Sequence, residues 1–188
     1  IEHYDLLIDE NNDPVRDPEP LREYMDKWDG RQFTDSLQLT KEKSVLEIGV
    51  GTGRLAVRVA PECREIFGID LSPKTAERAK ENLKKQTNVT LVCGDFMSYE
   101  FGRKFDVIYS SLTFMHIRDK QAAINKVRSL LNIGGRFVLS IDKNQSDTID
   151  YGTRKIKIYP DNKEDIVKYI TQSGMNLMKA FETGFAFV

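Results

Sequence analysis

Val45-Leu46-Glu47-Ile48-Gly49-Val50-Gly51-Thr52-Gly53-Arg54 decides the fold. Residues of strand character run into a glycine turn, and a helix is expected from about Arg54 to Ala60. Glycines at such a turn adopt positive φ without a Cβ penalty and let backbone approach a ligand closely. In an open parallel sheet this first turn lies at the carboxyl ends of the strands, where ligands bind. A phosphate-cradle loop is excluded because no Gly-Lys-Ser/Thr follows. A dinucleotide fingerprint fits poorly: the third glycine comes one residue early, and Arg54 stands where close packing needs a small residue. Glu47 would meet a pyrophosphate as a like charge, whereas a cationic ligand portion would find it favourable.

Outward from this turn, short apolar runs alternate with helical periods. Glu65 to Asp70 is a second strand, and Ser72-Pro73 supplies an N-cap with proline at the first helical position. Ala76, Ala79 and Leu83 then share one helical stripe. Asn88 to Cys93 is a third strand and Phe105 to Ser110 a fourth. Asp119 caps a helix whose inward face is Ala123, Ile124, Val127, Leu130 and Leu131, and Gly134-Gly135 turns the chain into a fifth strand, Arg136 to Asp142. Such alternation is the mark of a parallel sheet covered on both faces. After a helix from about Asn162 to Ser173, the runs Met175 to Phe181 and Phe185 to Val188 flank a glycine-containing link, which predicts a hairpin. The expected fold is a Rossmann-like α/β three-layer sandwich with a seven-stranded, mostly parallel sheet and an antiparallel C-terminal strand.

The chain has 188 residues, 28 Lys+Arg against 29 Asp+Glu, and 40% hydrophobic residues, which suits one domain over 1–188 with a core over 41–188. Residues 1–30 hold ten acidic and three basic residues together with Pro14, Pro18 and Pro20. Residues 1–40 are therefore expected to be irregular chain with short helices around Leu21 to Trp28 and Gln32 to Leu39, forming a solvated cap or a lid. Near-neutral overall charge argues against a nucleic-acid partner. Cys63 and Cys93 lie in apolar runs and are expected to be buried, reduced thiols; with His3 and His116 as the sole histidines, no Cys/His metal site can be assembled. No apolar stretch approaches a membrane span and no charged-then-apolar leader opens the chain, so no membrane partner and a cytoplasmic location are expected.

Three further residues bear on the ligand. Asp70 closes the second strand about 20 residues past the turn, where an acidic side chain accepts hydrogen bonds from the ribose of an adenine nucleoside. In Gly94-Asp95-Phe96, at the end of the third strand, Asp95 can accept from an adenine amino group with Phe96 near its ring; a simple turn is an equal reading.

With these segments in order, the chain resembles the class I S-adenosylmethionine-dependent methyltransferases, nearest to the small-molecule type. The matching stretches are Val45 to Gly53, Gly68-Ile69-Asp70-Leu71-Ser72, Gly94-Asp95-Phe96, Phe105-Asp106-Val107-Ile108 and Leu131-Asn132-Ile133-Gly134-Gly135-Arg136. Ile133 stands where the commonest form has proline. The resemblance implies S-adenosyl-L-methionine as cofactor, with Glu47, Gly49 and Gly51 around its methionine part. It also implies Asp70 and Leu71 at the ribose and adenine edge, Asp95 and Phe96 at the adenine, and the Ser110 carbonyl at the amino group. Tyr4 is the N-terminal aromatic that would close over the cofactor. His116 is the one residue near that face whose ordinary pKa suits a general base. Absent motifs discount amino-methylation of DNA and of protein arginine, and the resemblance implies a small-molecule acceptor. Asp142 with Asn144 lacks a partner carboxylate for a Mg²⁺ site. Two alternatives stay open: a non-catalytic module that binds the same cofactor or its S-adenosylhomocysteine product, and an NAD(P)-dependent oxidoreductase.

Overall fold

The computed structural model describes residues 1–188. Three short helices come first: α1 (Glu2–Asp9), α2 (Glu19–Met25) and α3 (Gly30–Ser36). The alternating part follows as β1 (Ser44–Ile48), α4 (Ala56–Val59), β2 (Glu65–Asp70), α5 (Pro73–Leu83), β3 (Val89–Cys93), β4 (Phe105–Ser111), α6 (Lys120–Leu130) and β5 (Leu131–Asp142). A small ladder of β6 (Thr148–Asp150) and β7 (Lys155–Lys157), then α7 (Lys163–Gln172) and β8 (Ala186–Phe187), complete the chain.

The main sheet has the order β3-β2-β1-β4-β5-β8, parallel except for β8. Central β1 is buried along its whole length, and its alternate side chains feed two different cores. Val45, with Val107 and Tyr109 of β4, packs under α3, α4 and α5 through Phe33, Leu37, Val59, Ala79 and Leu83. Leu46, Ile48 and Ile108 pack on the other face against Ile124 and Val127 of α6 and Ile166 of α7. This is the expected three-layer arrangement. Ser72 caps α5 by accepting from the Thr75 N–H, and Asp119 caps α6 from Ala122.

Five details differ from expectation. The main sheet has six strands, not seven. Residues 175–181 do not form a strand; Phe181 and Val188 exchange backbone hydrogen bonds at 2.9 Å and Glu182 bridges Phe187, so only the hairpin tip exists. Met175, Leu177, Met178, Ala180 and Phe181 lack clean alternation and thus give no single face to bury, and Met178 is 79% exposed. β5 starts at Leu131 rather than Arg136: Leu131 pairs with Phe105 and Arg136 with Val107, so the Ile133-Gly134-Gly135 turn is an irregularity within the ladder. Cys63 is buried, its thiol pushed up to about 11 by burial, but Cys93 at the end of the β3 edge is exposed. Residues 2–9, expected to be irregular, are helical, and α1 is held to the start of α5 by Asp5, which accepts from Ser72 Oγ and the Lys74 N–H.

The N-terminal segment is fastened to the C-terminal one. The Trp28 carbonyl accepts from Ser140 Oγ at 2.8 Å and Thr183 Oγ1 at 3.1 Å, the Lys27 carbonyl accepts from the Phe185 N–H at 2.8 Å, and the Trp28 and Phe185 rings lie 4.8 Å apart. No helix is long and apolar enough to cross a membrane.

Candidate active site

The glycine turn leaves β1 at the carboxyl edge of the sheet and is tied at once to β2: the N–H groups of Gly49 and Val50 donate to the Ile69 carbonyl at 2.9 and 3.1 Å. Gly49 has φ +78°, and a Cβ there would sit 2.6 Å from Thr113 Cγ2, so its glycine serves the close approach of Thr113. Gly51 differs. Its φ is +56° and nothing lies within 4 Å of where a Cβ would stand, so this is the open face of the turn. Asp70 closes the loop by accepting from the Gly51 N–H on Oδ2 at 2.8 Å and from the Ser72 N–H on Oδ1 at 3.0 Å. Burial raises the Asp70 carboxyl above the ordinary carboxylate range even against those hydrogen bonds. Each oxygen keeps a lone pair for a further donor.

Glu47, at the other side of the turn, is buried and accepts from the Tyr109 hydroxyl at 2.7 Å. Burial pushes its carboxyl up to about 8, against the opposing pull of Tyr109 and of the Arg54 charge. Arg54, which spoils a dinucleotide fingerprint, has a different task. Its guanidinium grips the buried Asp29 carboxylate through both terminal nitrogens, with Nη1 to Oδ1 at 3.0 Å. Asp29 also accepts from the Ser111 hydroxyl at 2.7 Å and the Gly30 N–H at 2.7 Å. Burial alone would raise the Asp29 carboxyl; Arg54 and these donors hold it below its ordinary range. The pair thus joins the entry to α3, the glycine turn and the end of β4.

A cluster of rings lies above this floor. The Tyr4 hydroxyl and His116 Nε2 are 2.6 Å apart, and their rings meet edge to face with centroids at 5.4 Å. Burial pulls His116 down to about 4, with the Lys120 charge adding to it, so the imidazole is neutral at pH 7 and its Nε2 is hydrogen-bonded with the Tyr4 hydroxyl. Burial raises the Tyr4 hydroxyl, with Tyr151 and Asp70 acting in the same direction. Two residues thought of separately, the closing aromatic and the base, therefore form one hydrogen-bonded pair. Asp5 holds α1 in this place by accepting from Ser72 Oγ at 2.7 Å and the Lys74 N–H at 3.2 Å. Arg154, beyond β6, binds Glu10 through both terminal nitrogens at 2.7 and 3.0 Å and reaches His3 Nδ1 at 2.8 Å.

The other expected residues are more dispersed. Leu71 is 48% exposed beside Asp70, as an apolar wall at the mouth would be. Asp95 is exposed and caps its own turn, accepting from the Met97 N–H at 3.0 Å. Phe96 is buried in the second core, its ring under the Lys126 ammonium, and so presents little surface to the cleft. Ser110 is fully buried beside Ile48, to whose carbonyl it donates at 2.9 Å. Asp142 accepts from Trp28 Nε1 at 3.0 Å and from the Asn144 N–H at 2.7 Å, a structural assignment for the residue weighed as a Mg²⁺ ligand. Sequence reasoning missed Tyr109, Asp29 and His3. For Tyr109 a signal existed: a tyrosine inside a strand buried on both faces needs a partner for its hydroxyl. Nothing local marks Asp29 or His3.

The donor set suits a cationic nucleoside. Two carboxyl groups, Glu47 of β1 and Asp70 at the end of β2, belong to this strand edge, and the arginine beside the turn is already paired with Asp29.

Comparison with known proteins follows the same line. A family described as a methyltransferase domain matches residues 45–135. A methyltransferase of Bacillus mycoides (strain KBAB4) is 39% identical over 113 residues, which cover 57% of this chain and 52% of the relative. The chain thus spans about half the length of the curated relatives it matches. The YcgJ protein of Bacillus subtilis is 28% identical with a TM-score of 0.56 over 59% of this chain and 49% of that one. The DhpI–SAH complex shares the fold over 99% of this chain and 91% of its own, with a TM-score of 0.76 at 16% identity.

Proposed function

We propose that the chain is a class I S-adenosylmethionine-dependent methyltransferase, as the methyltransferase-domain match over residues 45–135 and the Bacillus relative suggest, and that it transfers the methyl group of S-adenosyl-L-methionine to a small-molecule acceptor by in-line displacement. One observation carries this reading: the turn at Gly51 has an open face and is tied through its N–H to the half-buried Asp70 carboxyl at the end of β2. The bound cofactor supplies a methyl group already activated by the sulfonium charge.

Glu47 and the turn from Gly49 to Gly51 hold the methionine part, with the Ser110 carbonyl at its ammonium. Asp70 takes the ribose hydroxyls on its free lone pairs, Leu71 and Asp95 border the adenine, and Phe96 supports that wall from within the core. Residues 1–40 act as the lid of a single domain over 1–188, and Tyr4 excludes water from above. Proximity accounts for most of the rate, roughly 7 to 11 kcal/mol for well-oriented partners. His116, expected to be a base on its ordinary pKa, is made a weaker one by burial, so a proton passes to it through the Tyr4 hydroxyl only from an acceptor whose proton methyl transfer has made strongly acidic.

Thermal unfolding with S-adenosylhomocysteine, S-adenosylmethionine and NAD⁺ in parallel tests the reading. At a hundredfold excess over its dissociation constant, a native-state ligand adds about 2.7 kcal/mol, a shift of roughly 5 to 10 °C for a domain of this size. A rise with the two sulfur nucleosides, reduced in Asp70→Ala, supports the proposal; a rise with NAD⁺ alone refutes it.

A further inference from the structure

His3 is buried, and its two ring nitrogens stand in different situations. Nδ1 lies 2.8 Å from Arg154 Nε, and a guanidinium can only donate, so Nδ1 is the unprotonated nitrogen. The proton of the neutral ring is thereby placed on Nε2. Burial and the Arg154 charge both oppose a second proton. Nε2 is a buried donor with no partner in the protein. Buried donors are almost always paired, so an orphan marks a place where a partner is still to come. Its surroundings are aromatic and belong to the site: the Tyr151 and Tyr4 rings lie 4.3 and 4.9 Å from the His3 ring, and Tyr4 continues to His116.

We propose that His3 is a specificity-determining residue: its Nε2–H binds an oxygen lone pair on a flat methyl acceptor that carries a carbonyl or carboxylate group. This rests on the methyltransferase reading above. A protonated amine has no lone pair to offer Nε2–H. Arg154 acts as the positioning residue, fixing the tautomer while Glu10 balances its charge. Tyr4 and Tyr151 supply ring faces for a planar body.

The test uses the protein saturated with S-adenosylhomocysteine and three probes of one shape: benzoate, benzamide and benzylamine. Benzoate, benzamide or both should raise the unfolding midpoint further, and benzylamine should not; which of the two acts tells a carboxylate from a neutral carbonyl. In His3→Phe, which keeps a ring and removes the donor, the increment should vanish through a roughly tenfold loss of probe affinity, while the S-adenosylhomocysteine shift stays unchanged. An increment that survives in His3→Phe, an equal one from benzylamine, or none from either oxygen probe overturns the proposal. Absence of the S-adenosylhomocysteine shift itself overturns the methyltransferase reading instead. Should His3→Phe not fold, nitrogen NMR of the wild-type ring decides: the proton must reside on Nε2, and its resonance must move when the oxygen probe is added.

Discussion

Replacing Glu47 by glutamine should make the protein more stable and its cofactor site worse, and pH should control both effects. Because burial lifts the Glu47 carboxyl to about 8, the folded state holds a proton there that the unfolded chain, near 4.5, releases. A folded-state value above the unfolded one means that the contribution to stability is complete below about pH 4.5 and is lost as pH rises towards 8. At pH 8 the ionised, buried group costs on the order of 4 kcal/mol relative to a neutral isostere. Glu47→Gln should therefore unfold roughly 8 to 16 °C above wild type at pH 8 and show no advantage at pH 4.5. A ligand ammonium needs the ionised form. Affinity of the wild type for S-adenosylhomocysteine should rise about tenfold per pH unit from 6 to 8, with one proton released per ligand bound. Calorimetry in buffers of different ionisation enthalpy counts that proton directly. In the glutamine variant affinity should be low and flat with pH. A pH-independent wild-type affinity between 6 and 8, or a glutamine variant less stable than wild type at pH 8, would show that Glu47 is not the group that meets the cation.

Three other substitutions probe the frame of the site. Gly49→Ala must place a Cβ against Thr113 at φ +78° and should cost about 2 to 4 kcal/mol in urea unfolding; adding Thr113→Ala should recover the packing part but not the backbone part. Arg54→Met strands the buried Asp29 carboxylate and should cost about 3 to 5 kcal/mol, much of it regained when Asp29→Asn is combined with it; simple additivity of the two would refute their pairing. Tyr4→Phe removes the donor that favours neutral His116, so the imidazole should titrate above its present value of about 4, as followed by histidine NMR.

The core and the geometry of the glycine turn with Asp70 were legible because their signals are local. Glycines at 49, 51 and 53 between a strand and a helix, Asp70 at a strand end, and Ser72-Pro73 at a helix start each reflect backbone constraints confined to a few residues. Strand length was legible only where burial enforces it: β1 to β4 came out close to expectation, while residues 175–181 depended on a face they do not have. The roof was not legible. Tyr4 meets His116 across 112 positions and Arg154 meets His3 across 151, and no periodicity within either segment encodes such a meeting. The helix at 2–9 is likewise set by tertiary hydrogen bonds through Asp5 and Glu10 rather than by propensity.

The stitching of Lys27 and Trp28 to Thr183, Ala186's neighbour Phe185, and Ser140 gives the chain an order of assembly. During synthesis the central strands and their covering helices can pack while the segment around Trp28 still lacks its seat, because residues 183–187 leave the ribosome long after it. A nascent chain stalled before Thr183 should hence display Trp28 to solvent and let proteases cut ahead of α3, and completion of the hairpin tip should quench both together. The segment around Trp28, made well before its seat, is the last to settle.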